Sequence, residues 1–396
     1  MTRITPDMVK ADFWAVPDRE WSASESMCSN AESTIWNQGM VYALGERPLK
    51  ITEWSPDTWL DGPGFWSDGR PITAEERVHL RKSCQLEPTP HEFGISVGYA
   101  ALRAWPSYDE IFTDAMDRIV ERGQLSALHT GEAVRILGQN LDGGWYLVQC
   151  STYVGWVDHR SLAWCGRDEF NLFTESSHYL VVVGRGASVE PDPYGDPVSR
   201  PLEFGAWIPM ADPSPDPQGW QYRVQFPHRN FDGQLAIRPA YVPVSPAVHS
   251  GFLPRTRHAL VSSAFTLLGD RYGWGGRLGR RDCSGFVMDV YRTLGIQIPR
   301  DASAQEEYLP SRPMGTTDKL KYALAGDLLP MPGHVMLYLG RHQETDFVAH
   351  AFVGYCPTPE SELVVCNQVM VTPLNIYTRK SRMTYLDAIT SICRIL

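Results

Sequence analysis

From residue 95 to about 166 short apolar runs alternate with turns: ALH at 127–129, AVRIL at 133–137, WYLVQ at 145–149 and GWV at 155–157. Runs of this length and spacing predict short strands, and NLDGG at 140–144 predicts a hairpin between two of them. Several strands this short and this close build a small barrel. A second set covers 178–244. It opens on HYLVVV at 178–183, and its GWQYRVQ at 219–225 echoes GWYLVQ at 144–149, a weak internal repeat at the same place in each block. The Pro-rich stretch 212–217 is expected to loop out of this second set, and Pro243, Pro246 and Pro254 mark a linker.

Past the linker the period changes. Residues 258–268 (HALVSSAFTLL) have helical spacing and end at Gly269, and residues 283–294 predict a second helix stopped by Gly295. HVMLYL at 334–339 and FVAHAFV at 347–353 are strand-like, and a closing helix is expected over 385–393. Upstream, residues 1–90 are rich in Trp and turns. WSPD at 54–57 and DGPG at 61–64 are loops, and 73–84 (TAEERVHLRKSC) predicts a helix opened by Thr73. The expected organisation is a mixed helix and loop region over 1–94, barrels over 95–167 and 168–250, and an α+β domain over 251–396.

Composition agrees with several packed domains. The chain has 396 residues, 43% of them apolar, and 33 Gly with 30 Pro suit turn-rich β modules. A formal net charge of −10 without a Lys/Arg cluster argues against nucleic acid and anionic lipid as partners. No run of about twenty apolar residues predicts a membrane span. The first twenty residues are charged throughout and do not resemble a secretory signal. The compartment stays open: a bacterial cytoplasm, or the periplasm or exterior if a signal was removed. None of the eight cysteines forms a Cys-x-x-Cys pair, which argues against a zinc site, and no cofactor is expected. With Cys283 set aside seven remain, an odd number, so mostly reduced thiols are expected. The oligomeric state is not legible.

Chemistry concentrates in the last domain. Asp282 precedes an apolar-periodic run, which puts Cys283 in the first turn of a helix. A helix N-terminus and a neighbouring imidazolium both lower a thiol pKa, so Cys283 is expected to ionise there. Ser284 and Gly285 are small, and first-turn N–H groups can face an oxyanion. His334 follows a Pro-Gly turn at a strand start, and His350 lies on the next strand. In antiparallel neighbours the two rings can sit side by side, His334 as base and His350 as the group that orients it. A lone Cys on an amphipathic helix is ordinarily core filler, and a lone strand His ordinarily structural. The joint pattern is what favours catalysis.

At these residues the chain resembles the NlpC-type cysteine peptidases of bacterial cell-wall turnover. YGWGG at 272–276, RDCSGF at 281–286, PRDASAQ at 299–305, GDL at 326–328, GHVMLYLG at 333–340 and the pair His350-Ala351 carry the resemblance in order. The upstream blocks resemble the paired SH3-like barrels of one branch of that family. The resemblance implies a papain-like catalytic domain behind two SH3-like barrels. It also implies a γ-D-glutamyl-L-diamino acid endopeptidase acting on stem peptides (L-Ala-γ-D-Glu-diamino acid) with a free alanine amine. Carried over by position, Asp301 would hold that amine, or would simply cap a helix. Asp282 and Ser284 would line the substrate, and Tyr272 would assist the oxyanion or pack under the Cys. Glu132 and Tyr153 from the first barrel would complete the pocket; their plain readings are a strand-edge carboxylate and a barrel-rim aromatic. Two rivals stay open: a wall-peptide binding protein without catalysis, and an amidase or acyltransferase on a related papain-like fold.

Overall fold

The computed structural model describes residues 4–15, 60–191, 199–312, 314 and 318–395. Cys28 and the loop expected at 54–57 lie outside them. The chain packs as two compact units. One holds the described parts of Tyr42–Phe252 with Gly273–Gly279; the other holds residues 4–15, Leu253–Tyr272 and 280–395.

In the first of these, helix α1 (Ala74–Ser83) begins at Thr73, whose hydroxyl accepts from the Glu76 N–H while the Glu76 carboxylate returns to the Thr73 N–H. That reciprocal pair is a capping box, and it starts the helix at Thr73, where the sequence expected it to open. Seven antiparallel strands follow: β1 (Phe93–Ser96), β2 (Ala100–Arg103), β3 (Gln124–Leu128), β4 (Ala133–Asn140), β5 (Trp145–Gln149), β6 (Val154–Asp158) and β7 (Leu162–Cys165). Their spatial order is β7-β1-β4-β5-β6-β2-β3. Leu102, Leu128, Val134, Val148 and Val157 meet in one core. Strands β4 and β5 form the expected hairpin, with a bulge between Ile136 and Gly138. Gly138 is required there, because a Cβ would lie 2.8 Å from the Glu87 carbonyl oxygen.

Helix α2 (Arg167–Thr174) leads into the second strand set: β8 (Tyr179–Val182), β9 (Ser188–Pro191), β10 (Trp207–Pro209), β11 (Gln221–Arg229), β12 (Leu235–Pro243) and β13 (Val248–Ser250). They fall into a β10-β8-β13 sheet and one that pairs β9, β12 and β11. Leu180, Val189, Ile208, Phe226 and Val242, drawn from both sheets, close on a separate core.

The other unit is α+β. Helices α3 (Arg257–Phe265), α4 (Cys283–Arg292) and α5 (Ala302–Tyr308) accompany an antiparallel sheet of β14 (Leu328–Met331), β15 (His334–His342), β16 (Thr345–Tyr355) and β17 (Val364–Pro373). Every residue of α4 is buried, so this helix lies at the centre, packed on β15 and β16. Residues 4–15 pack here too: the Trp14 ring sits 5.3 Å from Phe347, and His258 Nε2 is 2.7 Å from Asp12 Oδ1.

The closing helix expected over 385–393 is a correction. A single turn, α6 (Tyr385–Ala388), gives way to β18 (Ile392–Cys393), which pairs with Leu328 and with Ser311 and Arg312. Apolar residues at helical spacing were instead recruited into the sheet, between Leu328 and the Ser311–Arg312 strand, where Ile392 and Cys393 are fully buried. Among the described residues no helix is long and apolar enough to cross a membrane.

Candidate active site

The site is assembled by a cap, a turn and a hairpin. Asp282 is the N-cap of α4: its Oδ1 accepts from the Gly285 N–H at 2.8 Å, which places Cys283 as the first helical residue. On the sheet, Pro332-Gly333 reverses the chain with Gly333 at φ +74°, and Met331 pairs with His334. The register then aligns Leu337 with Ala349 and His350 with Met370. His334 Nε2 lies 2.8 Å from His350 Nδ1, and His350 Nε2 lies 2.9 Å from Thr372 Oγ1. Phe352 stacks on the His350 ring at 4.0 Å, and the Tyr385 ring meets both imidazoles edge-on. The rings therefore have little freedom to rotate.

Electrostatics differs from the sequence expectation. Burial pushes the Cys283 thiol up to about 12, and the Asp282 charge adds to this. Hydrogen bonds from the Val335 and Ser284 backbone and the Arg300 charge pull the other way and do not prevail. Burial pushes His334 down to about 4, with Asp282 opposing, and holds His350 well below the usual imidazole range. Dehydration beats the helix terminus, so thiol and imidazoles rest neutral rather than as a preformed ion pair. The Val335 contact nevertheless brings the first residues of β15 against the sulfur.

The other expected residues divide. Asp282 and Ser284 are turned into a buried network: Arg300 reaches both Asp282 oxygens at 3.0 and 2.7 Å and the Ser284 hydroxyl at 3.0 Å. Their side chains hold the helix start. Tyr272 stands close enough to Cys283 and Asp282 for their charges, after burial, to raise its hydroxyl pKa well above normal. Asp301 occupies the N-cap position of α5, yet its carboxylate makes no capping hydrogen bond, so the plain cap reading fails. Glu132 and Tyr153 belong to the other unit. Glu132 folds back on His129, 3.1 Å from its N–H and 3.3 Å from Nδ1, and is not an exposed edge carboxylate. Tyr153 packs against both Leu128 and Trp105 clusters.

Sequence reasoning missed Thr372, Arg300 and Gln305. Gln305 donates to the Ser284 and Pro299 carbonyls and ties α5 to the first turn of α4. Arg300 and Gln305 sit inside the quoted segment 299–305, but only Asp301 was read as functional. Thr372 lay on a strand the periodicity did not reveal. No disulfide joins any two of the seven described cysteines. Among the described residues no group of three or more His, Cys, Asp or Glu is placed to hold a metal ion.

A thiol on the first turn of a buried helix, facing an antiparallel sheet that carries two imidazoles, defines a papain-like site. Residues 269–351 match the NlpC/P60 family, and residues 106–158 match the SH3 domain of SH3b1 type, so the chain carries an NlpC/P60 domain preceded by an SH3b domain. Dipeptidyl-peptidase 6 of Lysinibacillus sphaericus is 40% identical over 100 residues, 25% of this chain and 33% of that protein. A probable endopeptidase of Corynebacterium glutamicum is 32% identical over 134 residues, 32% of this chain and 59% of that one. The chain thus spans between a third and three fifths of these relatives. The solved NlpC/P60 endopeptidase of Photobacterium damselae subsp. piscicida shares the fold, with a TM-score of 0.76 at 16% identity over 98% of this chain and 96% of that one.

Proposed function

We propose that the protein is a cysteine endopeptidase of bacterial cell-wall peptides, with Cys283 as nucleophile, His334 as base and His350 as the residue that orients the base. The observation that carries this reading is the continuous line from His334 through His350 to Thr372 on the sheet that contacts the Cys283 sulfur. His334 Nε2 is engaged by His350, which leaves Nδ1 for the thiol. For Nδ1 to accept a proton, Nε2–H must donate to His350 Nδ1, and His350 Nε2–H must then donate to Thr372 Oγ1. The line admits the productive tautomer.

Because both groups rest neutral, the thiol proton passes to His334 as sulfur attacks the carbonyl carbon, and no isolated charge is buried. The oxyanion is met by the Cys283 N–H, since the Gly285 and Phe286 N–H groups already donate to Asp282, with the Tyr272 hydroxyl near the sulfur. His334 returns its proton to the leaving amine, giving a thioester that water hydrolyses. Peptidase and endopeptidase relatives support this class, against both a pure binding protein and an acyltransferase.

Thr372→Val is expected to leave a buried N–H without an acceptor, a cost of about 1–3 kcal/mol, and to lower kcat/KM roughly ten-fold or more. Thr372→Ser keeps the acceptor and should retain activity. Steady-state kinetics across pH checks this; a Val variant with a wild-type profile would refute the tautomer role.

We further infer, on the family resemblance, that the scissile bond joins γ-D-glutamate to an L-diamino acid and that a free L-alanine amine is bound by the Asp301 carboxylate. A buried ammonium needs such a partner to offset its lost hydration. Comparing Ala-γ-Glu-diaminopimelate with its N-acetyl form tests this. Cleavage of the acetylated peptide should be slower by about 100-fold, the worth of a lost charge-assisted contact. Equal rates would sink the amine requirement.

A further inference from the structure

We propose that a cationic cleft in the SH3b-containing unit is a second binding site, one for a phosphate group. The cleft encloses about 400 Å³ and is lined by Val97, Arg160, Arg200, His228, Arg229 and Arg238. Five of these six residues are basic, in a chain whose formal net charge is −10. Guanidinium groups gathered this closely repel one another, and a bound anion relieves that repulsion.

Local structure holds the arginines in place without neutralising them all. Arg160 is paired with Asp158 at 2.7 Å. Arg229 donates through Nε to the Leu162 carbonyl at 3.1 Å, a bond that fixes the side chain and leaves its charge uncompensated. Arg200 donates to the Val97 carbonyl at 3.3 Å. Among the described residues no carboxylate pairs with Arg229 or Arg238. The basic groups come from the loop after β6, the bridge strand Arg200–Pro201, the end of β11 and the middle of β12. They approach from several directions. A carboxylate offers two oxygens in one plane and satisfies one fork, whereas a phosphate offers oxygens on several sides. The geometry therefore favours phosphate, either as the free ion or as a phosphodiester unit of a polymer.

The test is calorimetric titration of the full chain at low salt with inorganic phosphate, with a glycerol-phosphate oligomer, and with oligo-glutamate of equal charge. Saturable phosphate binding is expected, weakened about ten-fold in Arg238→Gln and in Arg229→Gln and weakened again by added salt. Lys380→Gln, in the other unit, should change nothing, and peptide hydrolysis by the Arg238 variant should match wild type. Much tighter binding of the oligomer per phosphate assigns the polymer as source; equal affinity assigns the free ion. No saturable binding at millimolar phosphate, binding indifferent to both arginine variants, or oligo-glutamate binding as tightly as the phosphate oligomer would overturn the proposal.

Discussion

Replacing Cys283 by Ala is expected to lower hydrolysis of a γ-glutamyl stem tripeptide by about four to six orders of magnitude, the loss typical of removing a nucleophile. The fold should survive. Cys283 caps nothing and its thiol is small, so stability should change by no more than about 1 kcal/mol. Binding of the peptide, followed by calorimetry, should persist. Cys283→Ser should also be nearly inactive, because a hydroxyl proton is held far more tightly and an already dehydrated His334 is a weak acceptor for it. Mass spectrometry of tripeptide digests decides: a Cys283→Ala protein that still releases the free diamino acid at the wild-type rate would end the peptidase reading and favour the binding-protein rival.

The second large effect is on stability. Arg300→Met should cost about 3–5 kcal/mol, because it strands the Asp282 carboxylate beneath the helix. Both residues are buried, at 4% and 7% exposure, and the pair is bidentate. Arg300→Lys should recover only part of the loss, since one ammonium cannot reach two carboxylate oxygens and the Ser284 hydroxyl together. Adding Asp282→Asn to Arg300→Met should recover another part, as the stranded charge is then gone. Urea unfolding of the four proteins measures each step. An Arg300→Met protein within 1 kcal/mol of wild type, the range of ordinary exposed pairs, would show that the pair does not anchor the helix start. The same variant should lose activity beyond its loss of folded protein, because Cys283 is placed by the turn that Asp282 caps.

Much of the site was legible because its signals are local. A polar residue before an apolar period marks a helix start, and this located Cys283. A Pro-Gly pair marks a reversal, and this located His334. Strands one residue pair apart across a short turn put His334 and His350 on one face. The strand set at 133–157 showed itself for the same reason: alternation and turn residues act within a few positions. Strand β18, whose partners at Leu328 and Ser311–Arg312 lie far upstream, carried no such mark. Neither did Arg300, whose meaning comes from a carboxylate eighteen positions earlier and from the loss of water around both.

By itself the sequence determined which residues could do chemistry and roughly which elements bear them, since helix caps, turns and periodicity are properties of neighbouring residues. Tertiary structure alone decided what Asp282 and Ser284 do, that Thr372 ends the imidazole line, and that the thiol rests neutral. Each of these depends on burial and on partners brought together across long stretches of chain. The free energy of a charge is set by the water it has lost, and no stretch of sequence records that.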